Sequence, residues 1–435
     1  MAHESFSISE SAHSVNSVGP TAIGNRIVAL DVLLGFALLG ILVVNITGFS
    51  GVAAVDVEWT GFADEAVQEL TQFFFTSKFF STFTMLFGIG FAIQIARLEE
   101  KTGHYLWTYG RRLFVLFLIG IAHLVVQGEL LVWYAICGAI LLLFRGVSSQ
   151  TLLIWALLLM LVPMLHTAIV STLATAETSS PVLVETEQIE QQTNQQVEAD
   201  NNETVSDFSF NNYTGERAIR VFSEGDLSDV LIYNIQFSIQ RRTSWSNYLW
   251  DILPPLSLML VGVFIGRRRI LERIHDEIPL LRKTFWLGLG IGITGTWFSL
   301  ALLATMTVWD PWVWFAGNVL FTLAACSMAL GYSAGIVLLI QRDFWNKCLT
   351  PLQAVDRLAL TNYLLQALIC TTLFYSYGLG LYGKFGPAAV ALMAIGIYLI
   401  QVVLSLLWTR HFRFGPAEWL WRSATYGRLQ PMRIT

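Results

Sequence analysis

Long apolar runs recur along this chain at short intervals, and they limit the folds that the chain can adopt. Most approach or exceed the roughly 20 apolar residues with which a helix crosses about 30 Å of hydrocarbon. In hydrocarbon each backbone polar group needs a partner within its own segment, which favours helices over open sheets. Only 13% of the residues are charged, against about 25% in a soluble domain. The sequence therefore predicts an all-α, polytopic membrane protein.

The apolar runs define about ten predicted spans. They lie near residues 27–50, 73–97, 111–127, 129–146, 150–174, 247–266, 284–306, 313–340, 359–380 and 387–409. A very short turn joins the third run to the fourth, which predicts a tight helical hairpin there.

Basic residues are distributed unevenly around these spans. If the N-terminus is placed inside and the ten spans alternate, most of the 26 Lys and Arg residues fall on the inner side. Most acidic residues then fall on the outer side. Cytoplasmic loops of membrane proteins carry an excess of Lys and Arg. The pattern predicts that both the N- and the C-terminus are cytoplasmic.

The spans divide the chain into five parts. These are a disordered N-terminal tail at 1–25, the first five spans at 26–174, an acidic extracytoplasmic segment at 175–246, the last five spans at 247–412 and a cytoplasmic tail at 413–435. The acidic segment is too poor in apolar residues to bury a core. From Gly215 to Arg242 it becomes amphipathic, which predicts one or two helices that lie on the outer membrane surface or cap the bundle.

A small set of polar side chains lies within the apolar runs at similar depth. An ionisable side chain at the bilayer centre costs roughly 2.5–3.5 kcal/mol on insertion scales, so such residues usually face a cavity or a partner. With the orientation above, Asn45, Lys78, His123 and Glu129 all fall in the outer half of consecutive spans. Asp251 begins the sixth span on the same side. We expect these side chains to meet at a common site.

Two explanations of this cluster remain open from the residues alone. In the functional explanation, His123 is a general base and Glu129 holds its other ring nitrogen. In the structural explanation, Lys78 and Glu129 form a buried ion pair and His123 bonds a helix carbonyl. A metal site is disfavoured, because one histidine and scattered carboxylates do not supply three or four ligands at recognisable spacing.

Several strings of the sequence are distinctive as a set. They are RIVALDVLLGFALLGILVVNI (Arg26–Ile46), KFFSTFTMLFGIGFAIQ (Lys78–Gln94), RRLFVLFLIGIAHLVVQGELLVWYAICG (Arg111–Gly138), PLQAVDRLALTNYLLQALICTTLFYSYGLGLYGKFGP (Pro351–Pro387) and RFGPAEWLWRSATYGRLQPMR (Arg413–Arg433). Together they resemble the YeiB-like family, domain-of-unknown-function family 418, with its C-terminal region at roughly 250–432. The resemblance implies a bacterial or archaeal multi-pass protein of the cytoplasmic (inner) membrane without an established activity.

The opening string is also similar to that of the broader transmembrane acyltransferase superfamily, which includes the acyltransferase-3 enzymes. Its members pass an acyl group, often from acyl-CoA, to a sugar hydroxyl or an amine. Asp31 and Gly35 match the superfamily pattern Leu-Asp-x-x-Arg-Gly, although Leu34 stands where the pattern has Arg. His123 and Glu129 match a pattern in which an acid, usually Asp, follows an essential intramembrane histidine. The resemblance implies acyl-CoA as a donor substrate and basic residues near it at the inner face.

The preferred hypothesis from the sequence is an acyl- or acetyltransferase in which His123 deprotonates an acceptor hydroxyl. Lys78 or Asn45 would stabilise the developing oxyanion. The residues predicted near the donor are Arg26, Asp31, Arg111 and Arg112, and those predicted to line a tunnel are Thr361, Asn362, Gln366 and Asp251. Membrane lipids and a small-molecule or glycan acceptor are the expected partners, with no nucleic acid.

The alternative hypothesis is a transporter or lipid-handling protein that uses the same polar cluster. Either a Lys78–Glu129 pair or Asp31 would then couple transport to protons. A sensor or scaffold without turnover is a third interpretation, which gives no reason for placing charges in the membrane.

Overall fold

The structure is a computed structural model that describes residues 27–52, 54, 59, 61–99, 105–124, 126, 130–178, 216–241 and 245–434. In these ranges the chain is helical, apart from turns and an isolated antiparallel bridge between Phe412 and Arg433. The prediction of an all-α, polytopic chain is confirmed.

The helices in chain order are α1 (Val28–Ser50), α2 (Phe62–Leu70), α3 (Lys78–Glu99), α4 (Tyr105–Leu124), α5 (Leu130–Leu141), α6 (Ser149–Thr178), α7 (Glu216–Glu224), α8 (Leu227–Arg241), α9 (Trp245–Arg267), α10 (Ile278–Ala304), α11 (Pro311–Ile340), α12 (Asp343–Leu349), α13 (Leu352–Arg357), α14 (Ala359–Phe374), α15 (Pro387–Thr409) and α16 (Pro416–Tyr426). A π-helical turn (Thr71–Phe75) continues α2, and 3₁₀ turns follow α5 (Leu142–Phe144) and α9 (Ile270–Glu272).

Seven helical segments in the described ranges are long and apolar enough to cross a membrane: α1, α2 with α3, α6, α9, α10, α11 and α15. Two further apolar helices, α5 and α14, are shorter. The 20-residue α4 carries Arg111 and Arg112. Each predicted span thus contains a helix, while the count of about ten spans and the cytoplasmic termini stay predictions.

The second predicted span is not the continuous helix that we expected. The π-helical turn ends at Phe75, and α3 begins only at Lys78. Ser77 has φ 66°, the left-handed conformation that non-glycine residues seldom adopt. The side-chain hydroxyl of Thr76 donates to the Thr71 carbonyl at 3.3 Å. Such a local side-chain bond offers the backbone an alternative to continuing the helix.

The ninth predicted span is also shorter than expected and ends at Phe374. The chain turns back there, because the Leu379 and Tyr382 amides donate to the Thr372 and Phe374 carbonyls, both at 2.8 Å. These bonds use the last carbonyls of α14, which are otherwise left without intrahelical partners.

One end of the bundle, here called the His123 end, gathers the C-terminal ends of α1, α4 and α14 and the N-terminal ends of α2 and α15. The Gly383 amide donates to the Ser50 carbonyl at 2.8 Å. The Ala388 amide donates to the Asp64 carboxylate at 2.9 Å. α2 is thereby tied to the first turn of α15.

The amphipathic segment predicted between Gly215 and Arg242 forms α7 and α8, which pack on the His123 end. Phe222 is buried and stacks on Tyr375 with ring centroids 4.5 Å apart. The Asn234 side chain donates to the Val126 carbonyl, just beyond α4, at 3.1 Å. The two helices therefore cap the bundle. The acidic part at 179–215 and the N-terminal tail lie outside the described residues.

The opposite end, here called the Arg112 end, is covered by α16. The Trp421 indole donates to the Arg112 carbonyl at 2.8 Å. Glu418 accepts from the Thr361 amide at 3.0 Å and from the Thr361 hydroxyl at 2.5 Å. What the sequence predicted as a tail is thus a docked helix that joins α4 to α14.

Removal of the Asp64 carboxylate is expected to loosen the first turn of α15. Asp64→Ala leaves the Ala388 amide without its helix-capping partner, a change that typically costs about 1 kcal/mol. Thermal unfolding of the purified protein should show the loss. The neighbouring exposed acid provides the control, because Glu65→Ala should leave the unfolding temperature unchanged; equal losses in both variants would contradict the assignment.

Candidate functional site

A cavity of about 500 Å³ lies at the His123 end of the bundle. Its wall is formed by the second half of α1, the break before α3, the end of α4, the start of α5 and the first half of α14. Most of the wall is apolar. The polar side chains in it are Asn45, Thr47, Ser77, His123, Tyr363 and Gln366. Mainly apolar cavities of roughly 300–1,000 Å³ with a few polar groups are typical of small-molecule sites.

His123 lies in the last turn of α4 and exposes only 6% of its surface. Its ring packs against Tyr363 of α14, with centroids 5.3 Å apart and planes inclined by 43°. The cavity thus holds a buried imidazole beside a phenol. A ligand in the cavity would lie beside the imidazole of His123 and the phenol of Tyr363.

Gln366 lies on the same helix as Tyr363 and is held by a chain of buried amides. Its Nε2 donates to Gln401 Oε1 at 2.8 Å, and Gln401 Nε2 donates to the Asn362 carbonyl at 3.1 Å. The Asn362 amide group donates to Ser405 Oγ at 3.0 Å. α14 and α15 are therefore joined through hydrogen bonds that end at the cavity wall.

Of the residues predicted for the site, Asn45, His123 and Gln366 line the cavity. Asn45 is exposed and Gln366 is buried. Asn362 does not line the cavity but supports it through Gln401. The first half of α14 could be singled out from the sequence, because its amides interrupt an apolar run.

Lys78, predicted to stabilise an oxyanion, is placed differently. Its side chain is fully buried, and its ammonium donates to the Gln72 carbonyl at 3.3 Å. The ammonium also lies 4.2 Å from the centroid of the Phe321 ring on α11. The Tyr332 hydroxyl donates to the nearby Phe74 carbonyl at 3.1 Å. Lys78 and Tyr332 thus donate hydrogen bonds to carbonyls that the helix break leaves without intrahelical partners. Lys78 does not line the cavity.

Arg112, predicted to meet an anionic donor, is engaged by protein groups at the Arg112 end. Its guanidinium donates to Gln94 Oε1 at 2.5 Å and lies 4.4 Å from the centroid of the Trp421 ring. Along α4 it is roughly 16 Å from His123, at about 1.5 Å per residue. The structure therefore does not bring Arg112 and His123 into one site.

The other predicted residues are distributed over the bundle. Arg111 is exposed, with its guanidinium near Gly427. Asp31 is buried in the first turn of α1, and Asp251 is half-buried in α9. Neither lines the cavity. Arg26 and Glu129 lie outside the described residues, so the proposed partner of His123 stays a prediction.

Ser77 and Tyr363 in the cavity wall and Gln401 behind it are among the residues not identified from the sequence. Ser77 enters the wall only because the helix breaks there, and no Gly or Pro marks the break. Tyr363 lies between the two amides of α14, Asn362 and Gln366, and was not itself singled out. Gln401 carried a usable signal, because it is an amide in the middle of the last apolar run.

Gly35, the second matched residue of the superfamily pattern, has a packing role. A methyl group in its place would collide with the Leu352 carbonyl of α13. The Tyr398 hydroxyl donates to the Gly35 carbonyl at 2.6 Å. Leu34, the departure from the pattern, packs in an apolar cluster with Leu33 and Val337. In the described structure this part of α1 acts as a packing surface.

One family model and several bacterial proteins are similar to this chain. The family model described as protein of unknown function (DUF418) matches residues 265–428. The chain is 33% identical to the uncharacterized protein YxaH of Bacillus subtilis strain 168, over 96% of this chain and 98% of that protein. It is 27% identical to the uncharacterized protein YeiB of Escherichia coli K12, over 92% of this chain and 96% of that protein. No solved structure matches the chain.

The helices define a polytopic helical membrane protein, and the mainly apolar cavity beside His123 is its candidate small-molecule site. Full-length similarity then identifies the family: the chain belongs to the YeiB-like DUF418 family. A further relative, the uncharacterized 39.9 kDa protein in the amylase 3′ region of Bacillus acidopullulyticus, is 26% identical over 95% of this chain and 98% of that protein. The resemblance predicted from sequence strings is confirmed, and the link to the acyltransferase superfamily stays a prediction.

Proposed function

We propose that this protein is an acyltransferase of the bacterial cytoplasmic membrane, and that its cavity presents an acceptor hydroxyl to His123. The observation that supports the proposal is the placement of the imidazole. It is buried in a 500 Å³ cavity, and the other described residues of the wall combine apolar side chains with neutral hydrogen-bonding groups. Such a wall suits an acyl chain and a hydroxyl better than a highly charged substrate.

The reaction would proceed by general base catalysis. His123 takes the proton of the acceptor hydroxyl as its oxygen attacks the carbonyl carbon of an acyl-CoA thioester. The carbon–sulfur bond then breaks, and the sulfur leaves with the proton from the imidazolium. The products are an acyl ester and free CoA. The Tyr363 hydroxyl and the Asn45 amide are the cavity donors available to the carbonyl oxygen in the tetrahedral state.

The donor would not be held by Arg112 as the sequence suggested, because Gln94 and Trp421 occupy that guanidinium. The apolar part of the wall, which includes Ile41, Phe79 and Leu130, is where an acyl chain would lie. The proposal therefore depends on the cavity alone and not on a charged donor site at the Arg112 end.

Loss of His123 should stop the reaction. Purified protein in lipid nanodiscs is incubated with acetyl-CoA labelled in the acetyl group, and free CoA and transferred label are measured by mass spectrometry. His123→Ala should lower the rate by about 100-fold or more, the usual contribution of a general base. The control is His166→Ala on α6, a histidine that does not line the cavity. An unchanged rate in His123→Ala, or no CoA release by the wild type, would refute the proposal.

A transporter is the second candidate, and the helix break favours it. Interrupted helices whose unwound residues line the substrate site are common in secondary transporters. Phe75, just before the break, and Ser77, within it, both line the cavity. A transporter would leave acetyl-CoA intact in the same assay, so the release of CoA separates the two candidates.

A further inference from the structure

The orientation of the Gln366 amide can be derived from its neighbours. Gln401 contacts the Asn362 backbone carbonyl at 3.1 Å. A carbonyl oxygen only accepts hydrogen bonds, so the Gln401 atom facing it must be the NH₂ group. The other end of the Gln401 amide, Oε1, then faces Gln366 at 2.8 Å and requires a donor. Gln366 therefore turns its own NH₂ group towards Gln401.

This orientation leaves Gln366 Oε1 for the cavity. Gln366 lines the cavity and exposes only 4% of its surface. Within the described part of the chain, no group donates a hydrogen bond to Gln366 Oε1. When a ligand fills the cavity and excludes water, an amide oxygen left without a donor costs roughly 1–3 kcal/mol. A ligand hydrogen-bond donor would remove that cost.

The remaining wall restricts the kind of donor. None of the described residues that line the cavity is Asp, Glu, Lys or Arg. A carboxylate or phosphate oxygen placed at Gln366 would meet another acceptor and be repelled. A strongly hydrated cation such as a primary ammonium group would lose its water shell without a carboxylate partner among these residues, which is unfavourable in a low-dielectric site. A hydroxyl can donate to Gln366 and at the same time lie beside His123 or the Tyr363 hydroxyl.

We infer that the cavity selects an uncharged, hydroxyl-bearing head group, and that Gln401 is the positioning residue that sets this selectivity by fixing the Gln366 amide. This selectivity refines the proposed function. It rests on that function only where the bound hydroxyl is identified as the acyl acceptor. The binding preference itself does not depend on turnover.

The test compares three probes that share an eight-carbon tail: octyl β-D-glucoside, octanoate and octylammonium. Each is added below its micelle-forming concentration to the full-length protein in nanodiscs. The readout is protection of His123 from carbethoxylation by diethyl pyrocarbonate, measured by peptide mass spectrometry. The exposed His275 and His411 serve as internal references for reagent activity. In the wild type the glucoside should protect His123 at least about tenfold better than either charged probe.

Gln401→Leu should reduce the preference for the glucoside about three- to tenfold, the equivalent of one lost neutral hydrogen bond. Gln401→Glu should restore it, because the carboxylic acid form has the same donor and acceptor. Ser405→Ala is the matched control, since it removes a hydrogen bond to Asn362 but leaves the Gln366–Gln401 contact intact. If Gln401→Leu does not fold, Gln366→Leu, which removes the acceptor itself, should show the same loss of preference.

Equal protection by the three probes in the wild type would overturn the inference. An equal loss of preference in Ser405→Ala and Gln401→Leu would overturn the positioning role of Gln401. A glucoside preference without any release of CoA in the acetyl-CoA assay would reject acyl transfer and still support the selectivity of the cavity.

Discussion

Gly88→Leu is expected to abolish the folded protein, whereas Gly90→Leu on the same helix is expected to fold. A methyl group at Gly88 would collide with the Met259 carbonyl of α9, and one at Gly262 would collide with the Met85 carbonyl of α3. The backbones of the two helices therefore touch. Small residues allow this close approach between membrane helices, where dispersion contacts and weak hydrogen bonds replace the hydrophobic effect.

The expected loss of stability in Gly88→Leu is large because no space for a side chain exists between α3 and α9 at this position. Inserting extra methylene groups into a packed core costs about 1–3 kcal/mol and occasionally more. Here the obstacle is backbone, which cannot rotate away as a side chain does. The loss would approach the roughly 5–15 kcal/mol by which a native protein is stable. A Cβ at Gly90 meets no atom within 4 Å, so its replacement lacks this penalty.

Size-exclusion chromatography of detergent extracts and thermal unfolding would measure both variants. Gly88→Leu should appear only as aggregate or be degraded, and Gly90→Leu should elute as the wild type does. A monodisperse Gly88→Leu variant with wild-type unfolding temperature would show that α3 and α9 are not in contact at this position.

The docking of α16 at the Arg112 end is expected to weaken as the pH rises. The Glu418 carboxyl is buried against Thr361, and burial raises its pKa above the usual 4.5, although the hydrogen bonds from Thr361 oppose the shift. The docked state therefore binds the Glu418 proton more tightly than the undocked state does. The stabilisation is complete below the usual pKa and is lost as the pH rises through the elevated one.

Hydrogen–deuterium exchange of α16, corrected for the intrinsic pH dependence of exchange, would follow this docking. Protection of the wild type should fall with rising pH, and Glu418→Gln, which cannot ionise, should show protection independent of pH. Glu418→Ala leaves the Thr361 amide and hydroxyl without their acceptor. At low pH, where Glu418 is protonated in the wild type, it should reduce protection by about 2 kcal/mol, or roughly 30-fold, and the difference from the wild type should shrink as the pH rises. A flat wild-type profile would refute the assigned shift.

Much of the helical architecture could be predicted because apolar runs and membrane dimensions leave few alternatives. Every predicted span contains a helix, and the amphipathic segment after Gly215 is helical as its pattern indicated. The break at Thr76 and Ser77 could not be predicted. Neither residue is a strong helix breaker, and the break is sustained by distant groups, Lys78 and Tyr332, that satisfy the freed carbonyls.

The candidate site was predicted in part for a similar reason. Burying a polar side chain is costly, so His123 and Gln366 could be singled out from their apolar surroundings. Lys78 and Arg112 were singled out for the same reason. In the structure, however, both have protein partners away from the cavity. Sequence position shows that such a residue needs a partner. It does not show whether that partner is a ligand or another part of the chain.

The docked C-terminal helix has a consequence for reporter-fusion experiments that determine membrane orientation. A reporter joined directly after Thr409 would remove the segment that holds α4 to α14 through Trp421 and Glu418. The fusion would then report on a bundle with one end open, and a misinserted product could be mistaken for the native topology. A reporter joined after Arg433, beyond its bridge with Phe412, leaves α16 docked on α4 and α14.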